Sequence, residues 1–99
     1  MSVAVDLEGA HLAALERLGG FRGRRVLEIG CGDGRLTRGI VAEASWVLAF
    51  DPNALEVEAA ARSLDAEVSQ GRVMFAVGAL EELELPRGLF EIALFSWSY

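Results

Sequence analysis

The 99-residue chain contains no lysine. All nine basic residues are arginine, against fifteen carboxylates, for a formal charge of −6. That balance argues against gripping a nucleic-acid backbone, which calls for a basic face, and it leaves a small cationic ligand open. There is one cysteine, Cys31. A lone thiol forms no internal disulfide, so nothing points to secretion. There is one histidine, His11, and no cysteine pair, so no metal site is expected. No apolar run approaches the ~20 residues of a membrane span. Asp6, Glu8 and Glu16 interrupt the stretch that a signal peptide would keep apolar. Repeats, low-complexity segments and linkers are absent. The expectation is one cytoplasmic domain over residues 1–99.

Apolar residues make up 53% of the chain, which predicts a packed core rather than disorder. Leu7, His11, Ala14, Leu15 and Leu18 share one stripe of a first helix, closed by Gly19 and Gly20. Residues 22–25 read as a short basic loop and 26–29 as a strand. In the next helix Leu36, Ile40, Val41 and Ala44 form the buried face, and Gly39 allows a close approach to the sheet. A second strand covers residues 46–50. After it, Asp51, Pro52 and Asn53 open a helix whose stripe is Ala54, Val57, Ala61, Leu64 and Val68, with Glu58 and Arg62 placed to pair across one turn. Gly71 closes that segment. A third strand spans 73–77, a short turn 79–83, and a fourth strand 91–97. Strands separated by helices imply parallel pairing with right-handed crossovers. The fold class read from this pattern is a doubly wound, Rossmann-like α/β sheet of about four strands with flanking helices.

Residues 26–34 read Val-Leu-Glu-Ile-Gly-Cys-Gly-Asp-Gly, a strand entering three glycines at alternate positions. Without Cβ atoms, Gly30, Gly32 and Gly34 let the backbone bend sharply and let a ligand lie against it. The helix that follows has unpaired N–H groups at its start, which attract a carboxylate or another anion. Asp51 ends the next strand, seventeen residues after Gly34. There a carboxylate can accept hydrogen bonds from both hydroxyls of a ribose. A glycine turn after one strand and an acid after its neighbour form the adenosine-binding arrangement of open α/β sheets.

These stretches, together with 47–52, 73–83 and 90–98, resemble the N-terminal half of a class I S-adenosylmethionine-dependent methyltransferase over roughly residues 20–99. The resemblance implies S-adenosylmethionine as cofactor and methyl transfer as the activity. By position, Gly30, Cys31 and Gly32 would line the methionine end, and Glu28 would help hold the turn and the cofactor's amino group. Asp51 would bind the ribose, with Pro52 and Asn53 flanking the adenine. Gly78, Ala79 and Leu80 match the loop at the adenine edge, where the family often has Asp at the position of Ala79; Glu81 could substitute. Phe95 lies on the strand end that faces the donor methyl group. Two alternatives stand beside this reading. One is a binding module that holds the cofactor or its demethylated product and transfers nothing. The other is a nicotinamide-binding domain, although that fingerprint calls for glycine where Arg35 stands.

Several residues carry simpler readings. Cys31 has no partner base and reads as a small spacer, and His11 as a packed helix residue. Arg22, Arg24 and Arg25 read as a solvated loop that could touch an anionic acceptor. Glu81, Glu82 and Glu84 read as a solvated turn. Trp46 reads as core, whereas Trp97 and Tyr99 lie toward the ligand end of the fourth strand. No catalytic residue is named, because a base is needed only if the acceptor must lose a proton. A small-molecule acceptor is expected from the charge. The fourth strand is apolar on both faces, so a further strand should pair with it. The chain is therefore expected to be a fragment truncated after that strand, or to be covered there by a second chain.

Overall fold

A computed structural model describes residues 3–6, 20–79 and 88–95, with the backbone alone described for 3–6. The elements are β1 (Val3–Asp6), β2 (Arg25–Ile29), α1 (Arg35–Glu43), β3 (Trp46–Asp51), α2 (Ala54–Ser63), α3 (Asp65–Ser69), β4 (Val73–Val77) and β5 (Ile92–Phe95). The strands form one sheet in the order β1-β5-β2-β3-β4, and every pairing is parallel. The chain steps outward from β2 to β3 to β4, then returns to the other side of β2 as β5. The winding therefore reverses between β2 and β5. In open α/β sheets ligands bind at the carboxyl ends of the strands beside such a reversal.

The sheet core follows from apolar runs that are buried on both faces, as parallel strands require. Val26, Val47, Val73, Ile92 and Leu94 pack with Ile40 and Val41 of α1 and with Ala44, which caps its C-terminus, in one cluster. Leu27, Ile29, Leu48, Phe50 and Phe90 form a second cluster, with Trp46 packed against it. Trp46 stacks on Phe90 with ring centroids 5.6 Å apart.

Several expectations change. Residues 3–6, to which the sequence pattern assigns no element, are a strand, with Val3 opposite Ile92 and Asp6 opposite Phe95. The side of β5 away from β2, which a missing segment or a second chain was expected to cover, is thus covered by β1. The buried face of α1 is Thr37, Ile40 and Val41, while Leu36 is 43% exposed. Gly39 lies on the exposed side with open space around its Cα, so it serves no close approach. In α2 the buried residues are Val57 and Ala60, and Ala54 and Val68 are exposed. The helix breaks at Leu64, whose φ and ψ of −111° and 32° leave the helical region, and α3 follows. The first helix expected on Leu7–Leu18 positions lies outside the described residues, as do Leu80, Glu81, Glu82, Glu84, Trp97 and Tyr99.

The α2 start is set locally. Asn53 Oδ1 accepts from Leu55 N at 3.0 Å and Glu56 N at 3.2 Å, satisfying two of the donors a helix start leaves open. Pro52 precedes this cap. Asn53→Ala is expected to cost about 1 kcal/mol of stability, the usual price of losing such a cap, read as a lowered urea midpoint. The Glu58–Arg62 pair forms as expected but is exposed at both ends, so it contributes little. Arg38 ties α1 to α2 by donating to Ser63 O at 3.0 Å and Ser63 Oγ at 2.5 Å.

Candidate functional site

The turn from β2 into α1 is built on three residues with positive φ: Gly30 at 79°, Gly32 at 55° and Gly34 at 88°. Side chains other than glycine rarely adopt this region. Its N–H groups are used within the fold. Those of Gly30 and Cys31 both donate to Phe50 O, at 2.8 and 3.0 Å, and that of Gly34 donates to Cys31 O at 3.1 Å. At the start of α1, Arg35 N donates to Asp33 Oδ1 at 3.3 Å. The expectation that these N–H groups receive an anion is therefore narrowed. The turn binds its own strand neighbour with the donors of Gly30 and Cys31.

The decisive contact joins the turn to the acid. Gly32 N donates to Asp51 Oδ2 at 3.0 Å, and Asn53 N donates to Asp51 Oδ1 at 2.9 Å. Each carboxylate oxygen thus holds one backbone N–H and keeps a second lone pair. Two acceptor positions side by side, on one half-buried carboxylate, suit a vicinal pair of hydroxyls. Gly78 N donates to Asp51 O at 3.0 Å, bringing the end of β4 to the same rim. The rim therefore collects Gly30, Cys31, Gly32, Asp51, Pro52, Gly78 and Ala79. Phe95 stands opposite Ile29 on the other flank, next to the first glycine of the turn.

Two expected site residues have other surroundings. A Cβ on Gly34 would lie 3.0 Å from Ala60 Cβ. Its missing side chain makes room for α2. Glu28 has no exposed surface, and its Oε1 accepts from Thr37 Oγ1 at 2.5 Å. It lies beneath the turn. Thr37 escaped the sequence reading, although a hydroxyl inside the apolar stripe of α1, near a strand carboxylate, was a usable signal.

Cys31 is buried, and burial first, then the nearby Glu28 and Asp51 carboxylates, push its thiol from 9.0 up to about 12. A neutral, buried thiol is a spacer and not a nucleophile. It should stay silent to a thiol reagent at pH 8 and react at once when denaturant is added. As pH rises from about 9 toward 12, the unfolded chain releases a proton that the folded chain retains, so stability should fall across that interval.

Arg24 and Arg25 sit at the amino end of β2, where they pair with Glu91 at 3.6 and 3.8 Å. With a rise of about 3.3 Å per residue, that end lies roughly 16 Å from the first glycine of the turn. These two arginines therefore do not face the rim. A groove of about 330 Å³ beside Trp46, Val73 and Met74 also lies toward the amino ends of β3 and β4 and is separate from the site.

Comparison with known proteins bears on this geometry. The family model described as a methyltransferase domain matches residues 26–99. The chain belongs to the class I S-adenosylmethionine-dependent methyltransferases. No curated protein sequence matches it. Among solved structures, this methyltransferase domain is similar to phosphoethanolamine N-methyltransferase 1 from Haemonchus contortus, bound to phosphoethanolamine and S-adenosylhomocysteine. The TM-score is 0.70 and the identity 22%, over 86% of this chain and 18% of that one. A putative RNA methyltransferase from Pyrococcus horikoshii aligns with a TM-score of 0.73 and 20% identity, over 89% of this chain and 42% of that one. The YcgJ protein from Bacillus subtilis aligns with a TM-score of 0.70 and 26% identity, over 85% of this chain and 36% of that one. The methyltransferase domain therefore spans between 18% and 42% of these solved chains. The family match sets the nicotinamide alternative aside. Among the described residues no helix is long and apolar enough to cross a membrane.

Proposed function

We propose that this chain binds S-adenosylmethionine at the rim formed by the glycine turn, Asp51 and the end of β4, and supports methyl transfer to a small-molecule acceptor. The observation that carries the cofactor assignment is the Gly32–Asp51 hydrogen bond, which presents one carboxylate with two remaining acceptor positions beside a glycine turn. In this reading Asp51 takes the ribose hydroxyls, and Gly30, Cys31 and Gly32 border the amino-acid tail. Pro52, Gly78, Ala79 and Leu80 border the adenine. Phe95 lies on the side of the transferable methyl. Gly34 and Glu28 shape the turn from behind it.

When bound, the cofactor supplies a methyl group already activated by the positive charge on its sulfur. The chain's own task is orientation, which can be worth several kcal/mol, and the residues named above do that by hydrogen bonding and packing. A small acceptor is favoured by the formal charge of −6 and by Arg24 and Arg25 being held at the opposite rim.

Calorimetric titration with S-adenosylhomocysteine, and with NAD as comparator, tests the binding half of the reading. A saturable heat with the first and none with the second is expected. A radiolabelled methyl assay over small amines, alcohols and thiols, with RNA alongside, tests transfer. Label in RNA alone contradicts the acceptor class. Binding without label in any acceptor leaves a cofactor-holding module as the activity.

A further inference from the structure

Among the described residues β4 is the last strand on its side of the sheet. It reads Val-Met-Phe-Ala-Val, and its register with β3 runs without a bulge. Natural edge strands are usually guarded by charge, proline or a bulge, because an open ladder recruits other strands. Charged residues make up 24% of this chain, yet none stands in its edge strand. The open side follows from two bonds to β3. Arg72 O accepts from Val47 N at 3.0 Å, and Gly78 N donates to Asp51 O at 3.0 Å. Backbone groups of successive strand residues point to opposite sides, so residues 72, 74, 76 and 78 face β3. The N–H and C=O groups of Val73, Phe75 and Val77 therefore point outward.

These three residues are symmetric about Phe75. An antiparallel second copy of β4 can pair Phe75 with its own counterpart and each Val73 with the other copy's Val77. Each such pair exchanges two hydrogen bonds, so every outward donor and acceptor is used. The side chains match in the same register. Val77 is 54% exposed and Met74 55%. At the other end of the strand, beside Val73, lies the apolar groove of about 330 Å³, with Ala61, Val68, Gly71 and Phe75 in its walls. The pairing brings each copy's Val77 to the mouth of the other's groove and sets Met74 against Ala76. We propose that the β4 edge is a homodimer interface, in which two copies join antiparallel through Val73–Val77 about a two-fold axis at Phe75. The sheet then continues from one chain into the next. A second copy is the occupant favoured because the strand is complementary to itself, and a contact of that kind closes at two chains. The formal charge of −6 opposes self-association elsewhere on the surface, whereas this strand brings no like charges together. One strand pair with its flanking side chains is a small interface, so the dimer is weak and concentration-dependent. The proposal stands apart from the cofactor assignment.

Sedimentation equilibrium of the full chain from about 5 to 500 μM, a range that brackets weak association, tests it. The mass is expected to rise from that of the 10.6 kDa chain toward twice that value. Val77→Glu changes an exposed side chain and would press a carboxylate into each apolar groove. It should weaken the dimer at least about tenfold. Phe75→Cys tests the register. Facing Cα atoms in such a pair lie about 5.5 Å apart, within disulfide reach, so mild oxidation should link two chains. Val77→Cys should not link, because four residues at about 3.4 Å each part it from its counterpart. Cys31 is buried and contributes no crosslink. If Phe75→Cys does not fold, the wild-type and Val77→Glu masses still decide. A wild-type chain that stays monomeric at the highest concentration overturns the proposal. So does a Val77→Glu dimer as tight as wild type, or a crosslink through Val77→Cys in place of Phe75→Cys. Masses that grow past the dimer overturn it as well, since they signal open head-to-tail pairing.

Discussion

Gly34→Ala is expected to destabilise the chain by about 2–4 kcal/mol, combining left-handed backbone strain with a steric wedge. Gly34 has a φ of 88° and caps α1. An added Cβ would stand 3.0 Å from Ala60 Cβ, 3.3 Å from Ala60 Cα and 3.4 Å from Leu64 Cδ1. The second of these atoms is backbone, so α2 as a whole would have to shift. Native stability for a domain is about 5–15 kcal/mol, so the loss is a large share of it. Gly39→Ala supplies a contrast of opposite sign. That glycine sits within α1, and a Cβ there meets open space. It should stabilise by about 0.5–1 kcal/mol, the helix-propensity gain of alanine over glycine. Urea unfolding of both variants checks the pair. Adding Ala60→Gly to Gly34→Ala removes the 3.0 Å contact alone, so it should recover part of the steric loss, offset by the roughly 1 kcal/mol that glycine costs within a helix. A Gly34→Ala variant as stable as wild type would mean that the turn and α2 are not packed as described.

Asp51→Ala is expected to weaken S-adenosylhomocysteine binding by about 10- to 100-fold, the loss for a charged hydrogen-bond acceptor. The carboxylate holds Gly32 N and Asn53 N on its two oxygens. Truncation removes the proposed ribose acceptor and leaves the backbone N–H groups of Gly32 and Asn53 without their partner. Asp51→Asn should fall between wild type and alanine. Its amide retains one acceptor oxygen, so it keeps one of the two backbone partners and presents a donor to the other. The cap itself remains, because Asn53 Oδ1 still takes Leu55 N and Glu56 N.

The central strands were legible because each is a short, largely apolar run that a glycine follows or an acid ends. The expected 26–29, 46–50 and 73–77 became Arg25–Ile29, Trp46–Asp51 and Val73–Val77. The fourth strand was placed but drawn too long; Ile92–Phe95 is its described extent. β1 was not legible. Four residues carry no decisive period, and their pairing is with a strand at the other end of the chain. The helix faces were read one position off in two places, each for a physical reason. A hydrophobicity pattern prefers Leu36 to Thr37 because it has no knowledge of the Glu28 carboxylate that Thr37 meets. It also treats Ala60 and Ala61 alike, although Ala60 is the one against Gly34.

The site was legible in its two anchors, because Gly32 and Asp51 each announce the carboxyl end of a neighbouring strand. The division of labour within the turn was not. Nothing in the order of residues separates a glycine that bends the chain toward a ligand from one that yields space to a helix. The internal use of the turn's N–H groups by Phe50 O likewise depends on strand register, which appears only in the folded chain.

The most direct test of the account is the affinity of S-adenosylhomocysteine for the wild-type chain and for Asp51→Ala, measured by calorimetry with both proteins folded. One site per chain in the wild type, and binding at least about tenfold weaker in the variant, is the predicted result. Equal affinity in the two proteins, or no heat with the wild type, contradicts the claim that the glycine turn and Asp51 form one nucleoside site.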